Sequence, residues 1–290
     1  VTVARVLITG ANSGIGRAAA IRFAAAGHHV LAAMRNLEKA EKLLGLASDA
    51  AVEVELLELD VTDDESVRQG MERAGRVDVL VNNAGIGWNA TVEDIDVSAA
   101  KVVFETNFWG VIRCAQRVLP QMRERGEGTI INVSSIAGRV ALLAQPVYAS
   151  SKWALECLSE NLAQEVAPLG IRVIVIEPGV TRTAILPKNL EYPTPTAYEP
   201  VYRRLLQFYA KGIEANVSAD EVAEAILRAH DDPEPRLRYH CAWGGEELLA
   251  GRDRMSDEDW VALGRAEDDE DYYREYERLF ALDLRTSEEG

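Results

Sequence analysis

Six short β-branched runs alternate with stretches of helical periodicity, and this alternation constrains the 290-residue chain more than any other feature. The runs are residues 3–9, 29–34, 52–59, 77–82, 129–133 and 171–177. Helical patterns fill 14–26, 63–74, 99–125 and 150–167. Runs such as I-R-V-I-V-I-E are almost continuously apolar, as strands buried on both faces of a parallel sheet must be. Short strands joined by helices with right-handed crossovers give an α/β, doubly wound open sheet with helices on both faces. Hydrophobic residues make up 48% of the chain, enough to fill such a core. Ligands of these sheets lie beyond the carboxyl ends of the strands, so the chemistry is sought there.

After Pro178-Gly179 the pattern changes. Residues 184–216 hold Pro187, Pro193, Pro195 and Pro200 among Tyr192, Tyr198, Tyr202, Phe208 and Tyr209, which predicts a lid or substrate-binding insertion; a surface excursion with a small core of its own is the plainer reading. Ser218 to Glu221 is a capping box that opens a helix, and Ser256 to Asp259 repeats the device. Tyr272, Tyr276, Leu279 and Phe280 then share one helical face, to be packed on the body or on a partner subunit. The expected division is a domain over residues 1–245 and an acidic helical extension over 246–290.

The formal net charge is −16, and residues 251–290 alone carry 14 acidic and 6 basic side chains. A phosphate backbone needs a cationic surface, so nucleic acid is excluded as a general partner. No run reaches the ~18 apolar residues of a membrane span, and the chain enters its first strand without a signal-peptide pattern. Cys114, Cys157 and Cys241 are odd in number and form no C-x-x-C pair; the four histidines lack metal-site spacing. A cytoplasmic protein with reduced thiols and no protein-bound metal is expected.

Thr9 to Gly16 reads T-G-A-N-S-G-I-G, between the first strand and the first helix. Gly10 supplies a tight turn, Gly14 lets the backbone approach a pyrophosphate, and Gly16 lets the helix pack close to the strand. Gly10, Asn12, Ser13, Gly14, Ile15 and Gly16 are therefore the candidate phosphate cradle. The second strand ends in Met34-Arg35, where an NAD site would carry an acid for the ribose 2′-hydroxyl. Arg35 instead suits a 2′-phosphate, which predicts NADP(H) in preference to NAD(H); a plain surface arginine beside Glu38 is the alternative.

Tyr148 and Lys152 are spaced i, i+4 and so share one helical face. A neighbouring ammonium favours a phenolate, so the pair makes a general acid/base out of a phenol. Ser135 follows the strand T-I-I-N-V, where a hydroxyl meets developing charge on a substrate oxygen; Ser134 is the rival and reads as a structural hydrogen-bonder. Asn107 interrupts an apolar helix, either as a satisfied core amide or as part of a water path to the lysine.

Together, T-G-A-N-S-G-I-G, Asp60 in L-D-V-T-D, Asn82-Asn83-Ala84-Gly85, Asn107, Ser135, Tyr148/Lys152 and Pro178-Gly179-Val180-Thr181-Arg182-Thr183 resemble the compact branch of the short-chain dehydrogenase/reductase (SDR) family, strongly over about residues 3–183. V-L-A-A-M-R and R-L-R-Y-H look like the branch holding 17β-hydroxysteroid and retinol-type dehydrogenases and bacterial relatives. The resemblance implies a Rossmann-type sheet of about seven strands and a catalytic tetrad of Asn107, Ser135, Tyr148 and Lys152. It implies that Tyr148 exchanges a proton with the substrate oxygen and that Ser135 positions that oxygen. Lys152 would bind the nicotinamide ribose and lower the Tyr148 pKa, and Asn107 would hold a relay water. Asp60 and Val61 would contact the adenine, Asn83, Ala84 and Gly85 would line the cleft, and Pro178, Gly179, Val180 and Thr183 would face the nicotinamide end. The expected activity is NADP(H)-dependent interconversion of a ketone or aldehyde with an alcohol on a bulky, largely apolar small molecule. An NAD-linked alcohol dehydrogenase and a non-catalytic nucleotide-sensing scaffold are the alternatives. The family's habit of pairing its long helices, here 99–125 and 148–168, implies a homodimer ahead of a tetramer.

Overall fold

A computed structural model describes residues 3–183 and 197–285. Seven strands form one wholly parallel sheet in the order β3-β2-β1-β4-β5-β6-β7. They are β1 (Arg5–Thr9), β2 (His29–Met34), β3 (Glu55–Glu58), β4 (Val79–Asn82), β5 (Gly128–Val133), β6 (Ile171–Pro178) and β7 (Arg238–Cys241). Helices α1 (Gly14–Ala25), α2 (Glu41–Asp49), α3 (Asp64–Ala74), α4 (Val97–Phe104), α5 (Gly110–Arg125) and α6 (Pro146–Val166) link the first six strands. Strand order reverses between β1 and β4, which opens a crevice at their carboxyl ends.

Side-chain alternation along each strand feeds two cores. Val6 and Ile8 of β1 join a cluster with Phe23 and Ile226, whereas Leu7 between them joins one with Val67, Cys114 and Met122 on the other face. α4 and α5 are two halves of the long apolar helix, separated by a π-turn at Glu105–Trp109. Gly126, in the left-handed conformation (φ +70°), ends α5.

After β6, α7 (Glu199–Glu214), α8 (Ala219–Asp231), β7, α9 (Gly245–Asp253), α10 (Asp257–Leu263) and α11 (Asp269–Phe280) complete the described chain. The proline-rich first part of the expected insertion, with Pro187, Tyr192, Pro193 and Pro195, lies outside the described residues. Its second part is a regular helix, because Pro200 occupies the first turn of α7, where a proline costs no hydrogen bond. Tyr202, Leu205, Phe208 and Tyr209 of α7 join Leu248, Leu263, Tyr272, Tyr276 and Phe280 in a third apolar cluster, which also takes in Ile136, Val140 and Val180. Both expected capping boxes are present, at Ser218/Glu221 and Ser256/Asp259. The acidic extension thus packs on its own chain, beside the carboxyl ends of β5 and β6. Arg204 fastens it: its guanidinium stacks over Tyr272 at 4.6 Å and bonds Asp269 at 2.9 Å.

Candidate active site

The glycine turn follows β1. Gly10 (φ +66°) and Gly14 (φ +52°) are left-handed. A Cβ on Gly10 would lie 2.9 Å from the Ala84 Cα, and one on Gly14 would meet Thr183 at 3.4 Å. A Cβ on Gly16 would strike the Asn83 amide and the Gly10 carbonyl, so the missing side chain lets α1 lie close against the residues that directly follow β4 and β1. Ser13 is the N-cap of α1 but its side chain makes no capping bond, and the first turn holds no acid. The leading N–H groups of α1, from Gly14, Ile15 and Gly16, are thereby left for an anion, as a dinucleotide pyrophosphate requires. Asn12 and Ser13 are half-buried at the mouth of this turn.

Thr9, which the sequence reading passed over, braces the turn. Its hydroxyl accepts the N–H groups of Asn83 and Ala84, each at 3.0 Å, while the Asn83 amide donates to the Thr9 carbonyl at 2.9 Å. Asn83 is thus committed to the scaffold. Arg35 is exposed one residue past β2 and makes no ion pair with any described residue; Asn36, not Arg35, engages Glu38, by accepting its backbone N–H. Asp60 accepts the Thr62 N–H (2.9 Å) and hydroxyl (2.7 Å), which fixes the loop after β3. Val61 is buried in the space left by Gly110, whose Cβ would lie 2.9 Å from it.

Three elements bring the tetrad together. Asn107 lies fully buried in the π-turn. Its Oδ1 accepts the Ile86 N–H at 2.9 Å, and its Nδ2 donates to the Ile86 carbonyl and the Ser151 hydroxyl at 2.9 and 3.0 Å. Both amide protons are spent, so the side chain clamps the segment after β4 to α6. Ser135, just past β5, accepts the Ala137 N–H at 3.1 Å and lies near enough to the Tyr148 phenol to favour its ionisation. Ser134 lies near Glu156 of α6, which Arg238 holds at 2.9 Å, but its own hydroxyl is buried without a hydrogen-bond partner among the described residues, so it is not the structural hydrogen-bonder expected of it. Lys152 is buried; its Nζ donates to the Val133 carbonyl at 2.9 Å and lies 5.9 Å from the Tyr148 ring centre. A Cβ on Gly85 would lie 3.4 Å from Asn107 Oδ1 and 3.7 Å from that Nζ, so the backbone at Gly85 runs close beside both groups.

Burial brings the Lys152 ammonium down to about 8. It also pushes the Tyr148 phenol up, with Ser135 pulling the other way. The i, i+4 spacing predicts that the ammonium favours the phenolate; in the structure the cost of burying a phenolate outweighs the favourable contact.

A chain of buried amides supports the site from below and was invisible in the sequence. Asn82 donates to Asn132 Oδ1 and Asn132 donates to the Ser159 hydroxyl, both at 2.9 Å, which ties β4, β5 and α6 together. The sheet register places Asn82 opposite Asn132, a pairing of distant residues that spacing alone does not reveal. Past β6, Pro178 lends its carbonyl to Ser135 (3.4 Å), and the Val180 N–H donates to the Trp243 carbonyl (3.1 Å). Gly179 runs so close to the Trp243 backbone that a Cβ would collide with it.

A cavity of about 800 Å³ lies between α6, α7 and the C-terminal helices, and none of the four tetrad residues lines it. Leu142, Leu143, Leu205, Phe208 and Trp260 supply much of its wall, with Arg204 and Tyr276 among the polar members. Helix α6 contributes Pro146, Ala149, Ser150 and Trp153, a face turned roughly 130° from Tyr148 and Lys152. Residues 141–144 also line it, and Ala144 among them is held in the left-handed region (φ +48°).

The model of the family described as short chain dehydrogenase matches residues 4–192. This chain belongs to that family. Among curated relatives, the uncharacterized oxidoreductase YusZ of Bacillus subtilis is 38% identical, over 89% of this chain and 95% of that protein. Human 17-beta-hydroxysteroid dehydrogenase type 1 is 37% identical, over 81% of this chain and 76% of its own. A solved short-chain dehydrogenase from Streptomyces avermitilis matches with a TM-score of 0.77 at 34% identity, covering 92% of this chain and all of that one. Another, from Burkholderia cenocepacia J2315 and solved in complex with NADP, matches with a TM-score of 0.70 at 26% identity, over 89% and 95% of the two chains. The protein is accordingly an oxidoreductase of the short-chain dehydrogenase/reductase type, with a helical C-terminal region added to the family's sheet.

Proposed function

We propose that this short-chain dehydrogenase interconverts a ketone or aldehyde with its alcohol, uses NADP(H) by preference, and takes a bulky, largely apolar small molecule with Tyr148 as the acid/base. The observation that carries the reading is the buried Lys152 ammonium 5.9 Å from the Tyr148 ring centre, one helical turn along α6, with Ser135 near enough to the phenol to favour its ionisation. Two hydroxyls that converge beside a buried cation can polarise a carbonyl oxygen and deliver a proton to it. Ser135 orients the oxygen, Lys152 supplies positive charge, and Asn107 holds the wall against which both are set.

The open N–H groups of α1 and the turn of Gly10, Asn12, Ser13, Gly14, Ile15 and Gly16 suit the dinucleotide pyrophosphate. Arg35 would hold a 2′-phosphate, Asp60 and Val61 the adenine, and Lys152 the nicotinamide ribose. Asn83, Ala84 and Gly85 would form one wall of the cleft, with Pro178, Gly179, Val180 and Thr183 at the nicotinamide end. When bound, the nicotinamide supplies the two-electron redox chemistry. The relative solved with NADP supports the cofactor class, and the human 17-beta-hydroxysteroid dehydrogenase supports a bulky substrate. A cytoplasmic setting also belongs to this reading; among the described residues, no helix is long and apolar enough to cross a membrane.

The test is a cofactor-consumption screen with NADPH and NADH against aromatic, steroidal and long-chain ketones and aldehydes. Turnover is expected with NADPH, and Tyr148→Phe should lose roughly 10²–10⁴-fold in rate, the usual worth of a positioned proton donor. Turnover by Tyr148→Phe equal to that of the native enzyme would refute the reading.

A further inference from the structure

The cavity between α6, α7 and the C-terminal helices has no part in the chemistry of the tetrad, yet it has the size of a ligand site. Its volume of about 800 Å³ falls inside the range of about 300–1,000 Å³ that small-molecule pockets occupy. Leu142, Leu143, Leu205, Phe208 and Trp260 give it apolar walls, and apolar walls left to water favour an apolar occupant. Three of its helices, α7, α10 and α11, lie past residue 192, where the match to the family model ends. The recess is therefore built by the added C-terminal region against the family's sheet. One polar group in the wall stands out. Tyr276 of α11 is 3% exposed, and its hydroxyl is buried with no hydrogen-bond partner among the described residues. A buried hydroxyl left unpaired is unfavourable.

We propose that this recess is a second small-molecule site, separate from the tetrad, for a neutral and largely apolar molecule whose one hydrogen-bonding group is met by Tyr276. The other polar groups argue for neutrality. Arg204 is the cation of the wall, and it is already spent: its Nε donates to Asp269 at 2.9 Å, and its Nη2 donates to the Ala266 and Asp268 carbonyls at 3.1 and 3.0 Å. Glu93 adds a negative charge to the wall and accepts the Tyr198 hydroxyl at 2.7 Å. An acid would thus meet a carboxylate and no unpaired cation, whereas a neutral molecule loses nothing on entry. Tyr276 can donate to a carbonyl or accept from an N–H or O–H, so the ligand class is an apolar ketone, alcohol or amine in its neutral form. The tetrad does not reach such a ligand, because the face of α6 in this wall is Pro146, Ala149, Ser150 and Trp153.

The probe is N-phenyl-1-naphthylamine, a neutral apolar dye with one N–H that brightens when it leaves water. Titrated into the full chain, with and without NADP⁺, it should bind saturably at one dye per chain. Val201→Trp adds bulk to the recess from a half-buried position in its wall and should weaken binding at least tenfold. Tyr276→Phe should weaken it about three- to tenfold, the worth of one neutral hydrogen bond. The same variant without dye should unfold at an equal or higher temperature, because it loses a hydroxyl that had no partner. A purely structural hydroxyl would do the reverse, lowering the midpoint and leaving the dye's affinity alone. If Val201→Trp does not fold, the two readouts of Tyr276→Phe carry the test. A dye that does not bind, or that binds both variants as it binds the native chain, overturns the inference. So does displacement of the dye by a saturating ketone that the enzyme turns over, since the recess would then belong to the catalytic site. These measurements need no turnover of their own, so a failure of the proposed reaction and a failure of this site are told apart.

Discussion

At the scale of single residues, the site divides its side chains between those that hold the scaffold and those left free. Asn83, Asp60 and Asn107 spend their polar atoms on neighbouring backbone or side chains, whereas Arg35 stands exposed and without an ion pair to any described residue. A free guanidinium at the end of β2 is what a 2′-phosphate would use, through two charge-assisted hydrogen bonds. Arg35→Asp is therefore expected to weaken NADPH binding by about ten- to a hundredfold, the worth of a charged hydrogen bond. NADH binding should change far less. Titration of both nucleotides by protein fluorescence decides it, and equal losses would show that Arg35 does not read the phosphate. Much of this was legible in the sequence: the glycine turn and the Tyr148/Lys152 pair are local, and local spacing reveals them. Thr9, Asn132, Ser159 and Glu156 were not, because each acts through a partner that is distant along the chain and that only the sheet register or the docking of α6 brings near.

At the scale of elements, the inner strands announced themselves because a strand buried on both faces has to be largely apolar, whereas β3 at the sheet edge reads E-L-L-E with both glutamates exposed. The strand β7 did not: R-Y-H-C lies at the sheet edge, mostly half-buried, and follows neither periodicity. The prolines around α7 pointed to an irregular segment, yet one at the first turn of a helix is harmless. The junction of β6 with α9 depends on the absence of a side chain at Gly179, where a Cβ would overlap the Trp243 backbone. Because backbone cannot move aside as a flexible side chain can, Gly179→Ala should cost about 1–3 kcal/mol, the usual penalty of overpacking. Urea unfolding should show a lower midpoint at an unchanged slope. An unaltered midpoint would mean that the junction yields more easily than its packing suggests.

At the scale of the whole molecule, the outer faces of the long helix and of α6 leave Val102, Trp109 and Trp153 about half exposed. Large apolar groups standing together on a surface mark an interface, and the proposed dimer would cover them by pairing these helices across a twofold axis. Trp153→Glu would place a charge in that contact, so sedimentation velocity should find the native protein dimeric and the variant monomeric. A native protein that sediments as a monomer at micromolar concentration removes the proposal.

The π-turn at 105–109 links those outer faces to the catalytic cleft. One residue more than an α-helix allots to that stretch sets Asn107 inward and Trp109 outward within the same loop of backbone. A lineage that lost the extra residue would rotate the rest of the rod by about 100°, altering the floor of the cleft and the seam of the proposed dimer together. The two surfaces are therefore not free to evolve apart: a single deletion would register in both the chemistry and the assembly.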